Sequence, residues 1–466
     1  MAYPVEEDGY YDEAFEATGV LRAPYRDVLP LLDGADLGEL ATAVAAGVEQ
    51  LGVSFGSGAS AEPFHVDPVP RVLDGAEWEL IERGLRQRVS ALARFTADVY
   101  SGREIVAAGV VPERAIETSR HFEPWMLGVD VPAWSYTAVA GMDLVRGGDG
   151  RLWVLEDNLR TPSGIAYASA ARAAVDAAFP GKPPAGRRSL APAYEALKSA
   201  LREAAPSGDG EPFVILLTDG PGNSAWYEHR QLAQRLGLPL VTPDDLYPNR
   251  GRLRATVDGQ SRDVDVVYRR TDEDRLQDDQ GRPTWVAEVL LDPCRRGRLT
   301  CVNAFGSGVA DDKLVHAYVE AMIRFYLGEE PLIRSVPTFD LGVPSVRDSI
   351  LSRIDEVVIK PRAGHGGYGI VVGPHACAED RERVAAHVRA DPEGWVAQET
   401  VMLSRHPTVD GAGLSPRHVD LRAFVVTAGD HLEVAAGGLT RFGRDAGALV
   451  VNSSQNGGGK DTWVLS

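Results

Sequence analysis

Val154-Leu155-Glu156-Asp157-Asn158-Leu159-Arg160-Thr161-Pro162-Ser163-Gly164 carries an apolar run into two carboxylates and an amide, then into a Pro/Gly turn. Upstream, Tyr136 to Leu144 is a second apolar run, and Arg146-Gly147-Gly148-Asp149-Gly150 separates it from Leu152 to Leu155. Two apolar runs joined by a Gly-rich turn predict a β-hairpin. The hairpin sets Asp143 on one strand and Glu156 at the end of its partner. Side chains alternate along a strand, so Glu156 and Asn158 share a face and Asp157 takes the other. Two carboxylates and an amide oxygen form a hard, oxygen-only donor set suited to Mg2+. The plainer reading is surface carboxylates flanking a turn, and the motif alone does not decide between the two.

A second motif raises the value of the first. Val357-Val358-Ile359-Lys360-Pro361-Arg362-Ala363-Gly364-His365-Gly366-Gly367-Tyr368-Gly369-Ile370 is an apolar strand ending in Lys, a glycine loop and another strand. Glycines let backbone amides point into one concavity, which suits phosphate oxygens, and Lys360 adds a point charge. The loop lies between two strands, so it is neither a Walker loop nor a Rossmann turn. A Gly-rich hairpin with an exposed Lys is the bland alternative. A phosphate loop and a Mg2+ site are what nucleotide chemistry needs together.

Two further motifs stay open. Gly220-Pro221-Gly222-Asn223-Ser224-Ala225 satisfies GxGxxA, with Asp244 and Asp245 near the end of the following strand, which is a weak dinucleotide fingerprint. It reads equally as a strand-to-helix turn, with Asn223, Ser224 and Glu228 on a pocket wall. Arg422 and Arg441 sit at the ends of apolar strands. Their forks of donors suit a phosphate or a developing oxyanion, and surface salt bridging is the alternative.

The 466 residues carry 48 basic and 67 acidic side chains, a formal charge of −19, which argues against a general nucleic-acid or anionic-membrane binder. At 44% apolar and 25% charged the composition is that of a globular chain. Cys294, Cys301 and Cys377 are too scattered for a disulfide framework or a zinc pair. Met1 to Tyr11 does not read as a signal peptide, and no apolar stretch approaches the roughly 18 residues of a membrane span. The expected setting is cytoplasmic. Residues 1–20 read as a flexible acidic tail and 21–180 as an N-terminal part carrying the hairpin. Within that part a helix is predicted from Ala76 to Tyr100, capped by Asp74. Pro180 to Gly186 reads as a linker. Residues 190–305 read as an α/β unit, with strands at Phe213–Leu217, Leu238–Val241 and Val264–Tyr268. Residues 306–466 open with a helix over Lys313–Leu327 and continue in short strands with Gly-rich turns.

In their order along the chain, these motifs resemble the circularly permuted ATP-grasp family, type 2, a relative of the synthetase domain of glutathionylspermidine synthase. Gly141-Met142-Asp143-Leu144-Val145, Val154 to Gly164, Gly306 to Lys313, Lys360 with its glycine loop and Val451 to Gln455 carry the resemblance, with Arg83 to Arg88. It runs from about Pro70 to the end. Metal ligands ahead of the phosphate loop are the mark of the permuted synthetases. The resemblance implies an α/β (α+β) fold, with two lobes enclosing a nucleotide and a substrate-side subdomain over 190–305. It implies ATP and Mg2+, with Asp143, Glu156 and Asn158 as metal ligands and Lys313 and Lys360 on the phosphates. Gly364, His365, Gly366, Gly367, Tyr368 and Gly369 would form a lid, and Gln398, Glu399 and Val401 an adenine-reading hinge. Arg441, with Arg422 second, would support an oxyanion. Arg120, Arg160, Thr161, Ser163, Asn223 and Ser224 would face substrate. The implied reaction joins a carboxylate to an amine on a small molecule or peptide through an acyl phosphate. One departure matters: the spermidine-linked enzymes have Arg two residues before the first metal Asp, and here that residue is Gly141. Two other readings compete, a degenerate nucleotide-binding scaffold and a dinucleotide-dependent oxidoreductase.

Overall fold

A computed structural model of the chain describes residues 3–4, 9–56, 62–206, 210–364, 369–445, 447 and 457–466. The predicted long helix runs Gly75–Val99, and the Asp74 side chain caps it by accepting from the Glu77 amide at 2.8 Å. Trp78, Ile81, Leu85, Val89, Leu92 and Phe95 form its buried stripe, while Leu80, off that stripe, is exposed.

The hairpin forms from Val139–Arg146 and Leu152–Asn158, with Asp143 opposite Glu156 and Gly141 opposite Asn158. It begins later than read, because Ala133–Thr137 winds into a short 3-10 turn after Pro132. A sixteen-residue strand, Gly413–Ala428, lies beside it with Arg422 opposite Asp143. On its other edge Leu439–Phe442 sets Arg441 opposite Asp420. Gly458–Val464 and Val66–Leu73 extend this large sheet. The sheet register therefore draws Asp143, Glu156, Asp420, Arg422 and Arg441 onto neighbouring positions, although they come from distant parts of the chain.

Two smaller sheets flank it. A parallel sheet orders Thr300–Val302, Val266–Arg270, Val214–Thr218 and Leu240–Val241. Its Val266–Arg270 strand corrects the expected Val264–Tyr268, because the chain breaks at Asp265, whose carboxylate accepts from the Phe213 amide at 2.9 Å. Val264 instead ends the hairpin strand Gln260–Val264. An antiparallel sheet orders Thr338–Asp340, Trp395–Glu399, Val357–Pro361 and Val371–Val372, over a small core of Leu341, Ile350, Ile359 and Val384. The helix read over Lys313–Leu327 is two, Lys313–His316 and Val319–Leu327.

Two expectations about loose segments are corrected. Residues 9–16 are pinned, not a flexible tail: Glu13 is buried, bound by Arg71, Arg146 and Ser404. The Pro180–Gly186 stretch docks on the C-terminal strand, since the Ser466 amide donates to the Gly186 carbonyl and the Arg188 amide to Val464. One apolar cluster takes in Ala14, Tyr167, Leu216 and Trp463, and so runs through the parts read as separate.

Candidate active site

A cleft of about 750 Å3 opens between the large sheet and the small antiparallel sheet, and the loops of the parallel sheet close one side. Its volume is that of a ligand site. Asp143, Glu156, Asn158, Lys313, Lys360, Gly364, Gln398, Glu399, Val401, Arg422 and Arg441 all line it. So do Arg160, Thr161, Ser163 and Ser224.

Asp143 is buried at the centre. Arg422 donates to both its oxygens at 2.7 and 2.8 Å, and Arg441 donates to Oδ2 at 2.9 Å. Burial raises the Asp143 carboxyl, but Arg422 and Arg441 outweigh it and hold it at about 2. Arg441 is itself gripped by Asp420, from Nη2 to Oδ2 at 2.5 Å. The two arginines thus form one charge network with two carboxylates.

Lys360 is buried at the end of its strand and donates to Gln398 Oε1 at 2.5 Å. Burial, with Lys313 beside it, pushes the ammonium down to about 8 against the pull of Glu156 and Asp143. Lys313 opens its helix with Nζ 3.3 Å from Glu156 Oε1, and donates to the Gly364 carbonyl at 2.8 Å. Asp312 caps that helix and also accepts from Arg362 at 2.7 Å, which ties the lysine to the base of the glycine loop. Gln398 Nε2 donates to Leu155 and Thr338 and so bridges the two sheets. Glu399 is held by Arg353.

Asp157, on the hairpin's reverse face as predicted, accepts from Arg88 at 2.6 and 2.7 Å and bonds His316 Nδ1 at 2.7 Å. His316 ends the Lys313 helix. One buried carboxylate therefore fixes the hairpin relative to the helix that Lys313 opens. No local motif signalled Asp157, Asp420 or Asp312 in these roles.

Two expected substrate residues lie elsewhere. Arg120 is exposed and pairs with Asp279. Asn223 is buried and spends its side chain on Asp219, Asp272 and the Ala225 amide. The Gly220–Gly222 turn does not line the cleft. Arg160 lines it but is held by Asp274 and Asp311. His365, Gly366, Gly367 and Tyr368, and the Val451 to Gln455 segment, lie outside the described residues; Gly369 is described, at φ +75°. A side chain at Gly141 has no room: its Cβ would sit 2.8 Å from Pro162 Cβ and 3.5 Å from Arg422 Cδ. Arg422 thus occupies the space beside the position where the spermidine-linked enzymes keep an arginine.

Glu156 and Asn158 fit a Mg2+ site by donor chemistry, and Asp143, whose Oδ2 accepts from two arginines, offers its Oδ1. Among the described residues no three acidic, His or Cys side chains make a metal cage. Mg2+ is satisfied by one or two protein carboxylates plus phosphate oxygens. Buried Asn158 Nδ2 has no partner among the described residues, so this amide is free to turn its oxygen toward a cation. The adjoining loop is conformationally demanding. Gly164 has φ +134°, and a Cβ there would meet Phe424 Cζ at 2.9 Å. Gly164→Ala is expected to cost about 1–3 kcal/mol, read from urea unfolding.

Residues 70–443 match the profile of circularly permuted ATP-grasp type 2. An uncharacterized protein of Mycobacterium leprae is 40% identical, over 98% of this chain and 82% of its own. One from Synechocystis is also 40% identical, over 98% of this chain and 97% of its own. A Frankia alni protein, provisionally named a glutamate–cysteine ligase, is 42% identical over 97% of this chain, which spans only 54% of that protein. A glutathione synthetase-like effector of Globodera pallida, solved in apo form, shares the fold with a TM-score of 0.59 at 11% identity, covering 92% of this chain and 97% of that one. Among the described residues no helix is long and apolar enough to cross a membrane.

Proposed function

Because the chain belongs to the circularly permuted ATP-grasp type 2 family, we propose that it is an ATP-dependent ligase joining a carboxylate to an amine through an acyl phosphate. The observation that carries this reading is the meeting, in one cleft, of two lysines, an oxygen-donor trio and an arginine pair. The Frankia relative's name supports C–N bond formation, although the chain spans only about half of that protein.

In this reading Lys360 and Lys313 hold the phosphates. Lys360 has three N–H donors and gives one to Gln398, which aims the others. Mg2+, held by Asp143, Glu156 and Asn158, would neutralise charge on the γ-phosphoryl group. A carboxylate oxygen of the acid attacks the γ-phosphorus and ADP leaves. The amine nitrogen then attacks the acyl carbon, phosphate leaves, and the amine proton passes to phosphate or water. Arg422 and Arg441, fixed by Asp143 and Asp420, support the oxyanion that forms. Main-chain groups of Gln398 to Val401 would read the adenine.

The test is thermal unfolding with ATP or ADP, with and without Mg2+. A ligand that binds only the folded chain raises the midpoint. The expected result is a Mg2+-dependent rise that is absent in Lys360→Ala. No rise with either nucleotide would sink the reading.

A further inference from the structure

We propose that the cleft contains an acyl pocket for a carboxylic acid with an apolar, ring-sized tail, walled by Phe64, Tyr167 and Leu439 with Phe55 at the rim. The inference rests on the ligase reading above and names the class of acid that it leaves open.

The wall is continuous with Arg422. Gly164 sits between them: a Cβ there would lie 3.3 Å from Leu439 Cδ2 and 3.7 Å from Arg422 Cδ. At Gly459 a Cβ would lie 2.7 Å from Phe64 Cζ and 3.3 Å from Leu439 Cδ1, so Leu439 and Phe64 adjoin. The rings of Phe64 and Tyr167 are 5.1 Å apart, and those of Phe55 and Tyr167 are 6.0 Å apart. All four side chains line the cleft. Tyr167 spends its hydroxyl on the Ser54 carbonyl at 3.0 Å, so it offers a ring rather than a polar tip. Gly141 and Gly164 leave the arginine stem uncovered by side chains of their own.

The chemistry at the two ends of this arm selects one occupant. Arg422 spends Nε and one Nη2 hydrogen on Asp143 and one Nη1 hydrogen on the Ser163 carbonyl at 3.3 Å. Its two remaining N–H donors can take a carboxylate but nothing from an ammonium, which favours the acid over the amine. Ring faces along the wall reward an apolar tail. Packed against these four side chains, a polar tail would lose its water without gaining partners from them. The acid's carboxylate then lies beside Arg422 and Asp143, where the phosphoryl group is delivered.

Hydroxylamine serves as the probe amine. Its nitrogen attacks the acyl phosphate, phosphate leaves, and a hydroxamate forms. The full chain is given MgATP, hydroxylamine and one of two sets of acids. One set is 3-phenylpropionate and 4-methylpentanoate; the other is succinate and 3-hydroxypropionate. The expected result is at least tenfold higher kcat/KM for the apolar acids. Phe64→Ala should raise KM for 3-phenylpropionate about tenfold while the MgADP thermal shift persists. Phe55→Ala, at the half-buried rim, should do the same to a smaller degree and spares the core if Phe64→Ala fails to fold. Equal or better use of succinate, with MgADP binding intact, overturns the pocket and leaves the ligase reading standing. No MgADP shift and no hydroxamate from any acid overturns the ligase reading, and the pocket with it.

Discussion

Glu156→Ala is expected to lower ADP release by about 10²–10³-fold while leaving the fold intact. The Glu156 carboxylate stands opposite Asp143 in the hairpin register and 3.3 Å from Lys313. Its side chain is 31% exposed, so the pair with Lys313 contributes little stability. In the proposed mechanism the substitution removes a donor to the cation that would offset phosphate charge. The neighbouring residue gives the contrast. Asp157→Asn leaves the buried Arg88 guanidinium without its counter-charge, so its damage is to stability. Measured side by side, Glu156→Ala should keep its urea midpoint and lose kcat, and Asp157→Asn should lose its midpoint. A Glu156→Ala protein with undiminished turnover would remove Glu156 from the metal site.

The alternation that separates Glu156 from Asp157 was legible in the sequence, because a period of two follows from the strand itself. So was the helix from Gly75, whose stripe repeats at helical spacing. Partners set by register between distant strands were not legible. Arg422 and Asp143 are 279 residues apart and meet only because Gly413–Ala428 pairs with the hairpin. Read singly, each arginine was as good a surface ion pair as an oxyanion support. In the fold both are drawn to Asp143, Arg422 through Nε and Nη2 and Arg441 through Nη2, inside the cleft rather than on the outer surface. The same limit misplaced Arg120 and Asn223, which sit near the right segments yet are committed to Asp279 and to Asp219 with Asp272. The acidic start of the chain shows the same limit. Its polar residues without periodicity are the mark of a loose segment, and only the fold supplies the cations that let Glu13 be buried.

Glu13→Ala is accordingly expected to destabilise the protein by about 3–5 kcal/mol, the usual cost of leaving a buried cation unpaired. Arg71 loses its only carboxylate partner among the described residues, whereas Arg146 keeps Glu77 at 2.6 Å. Arg71 donates to Glu13 from Nε at 3.0 Å and from Nη2 at 2.5 Å, Arg146 donates at 3.1 Å, and Ser404 at 2.6 Å. Arg71 and Arg146 are themselves buried in the large sheet, so neither can turn to water when the carboxylate is lost. Burial raises the Glu13 carboxyl, but Arg146 and Arg71 outweigh it and hold it well below the usual carboxylate range. A folded-state value below the unfolded one, about 4.3, makes the contribution complete above that unfolded value. It is lost as pH falls toward the folded value. The stability gap between wild type and Glu13→Ala should therefore stay constant from about pH 6 to 8 and narrow below about pH 4. Urea unfolding of both proteins across that range measures it. A gap that widened on acidification would mean that Glu13 is held as a neutral acid, and the clamp of Arg71 and Arg146 could not then be what pins the N-terminal segment to the sheet.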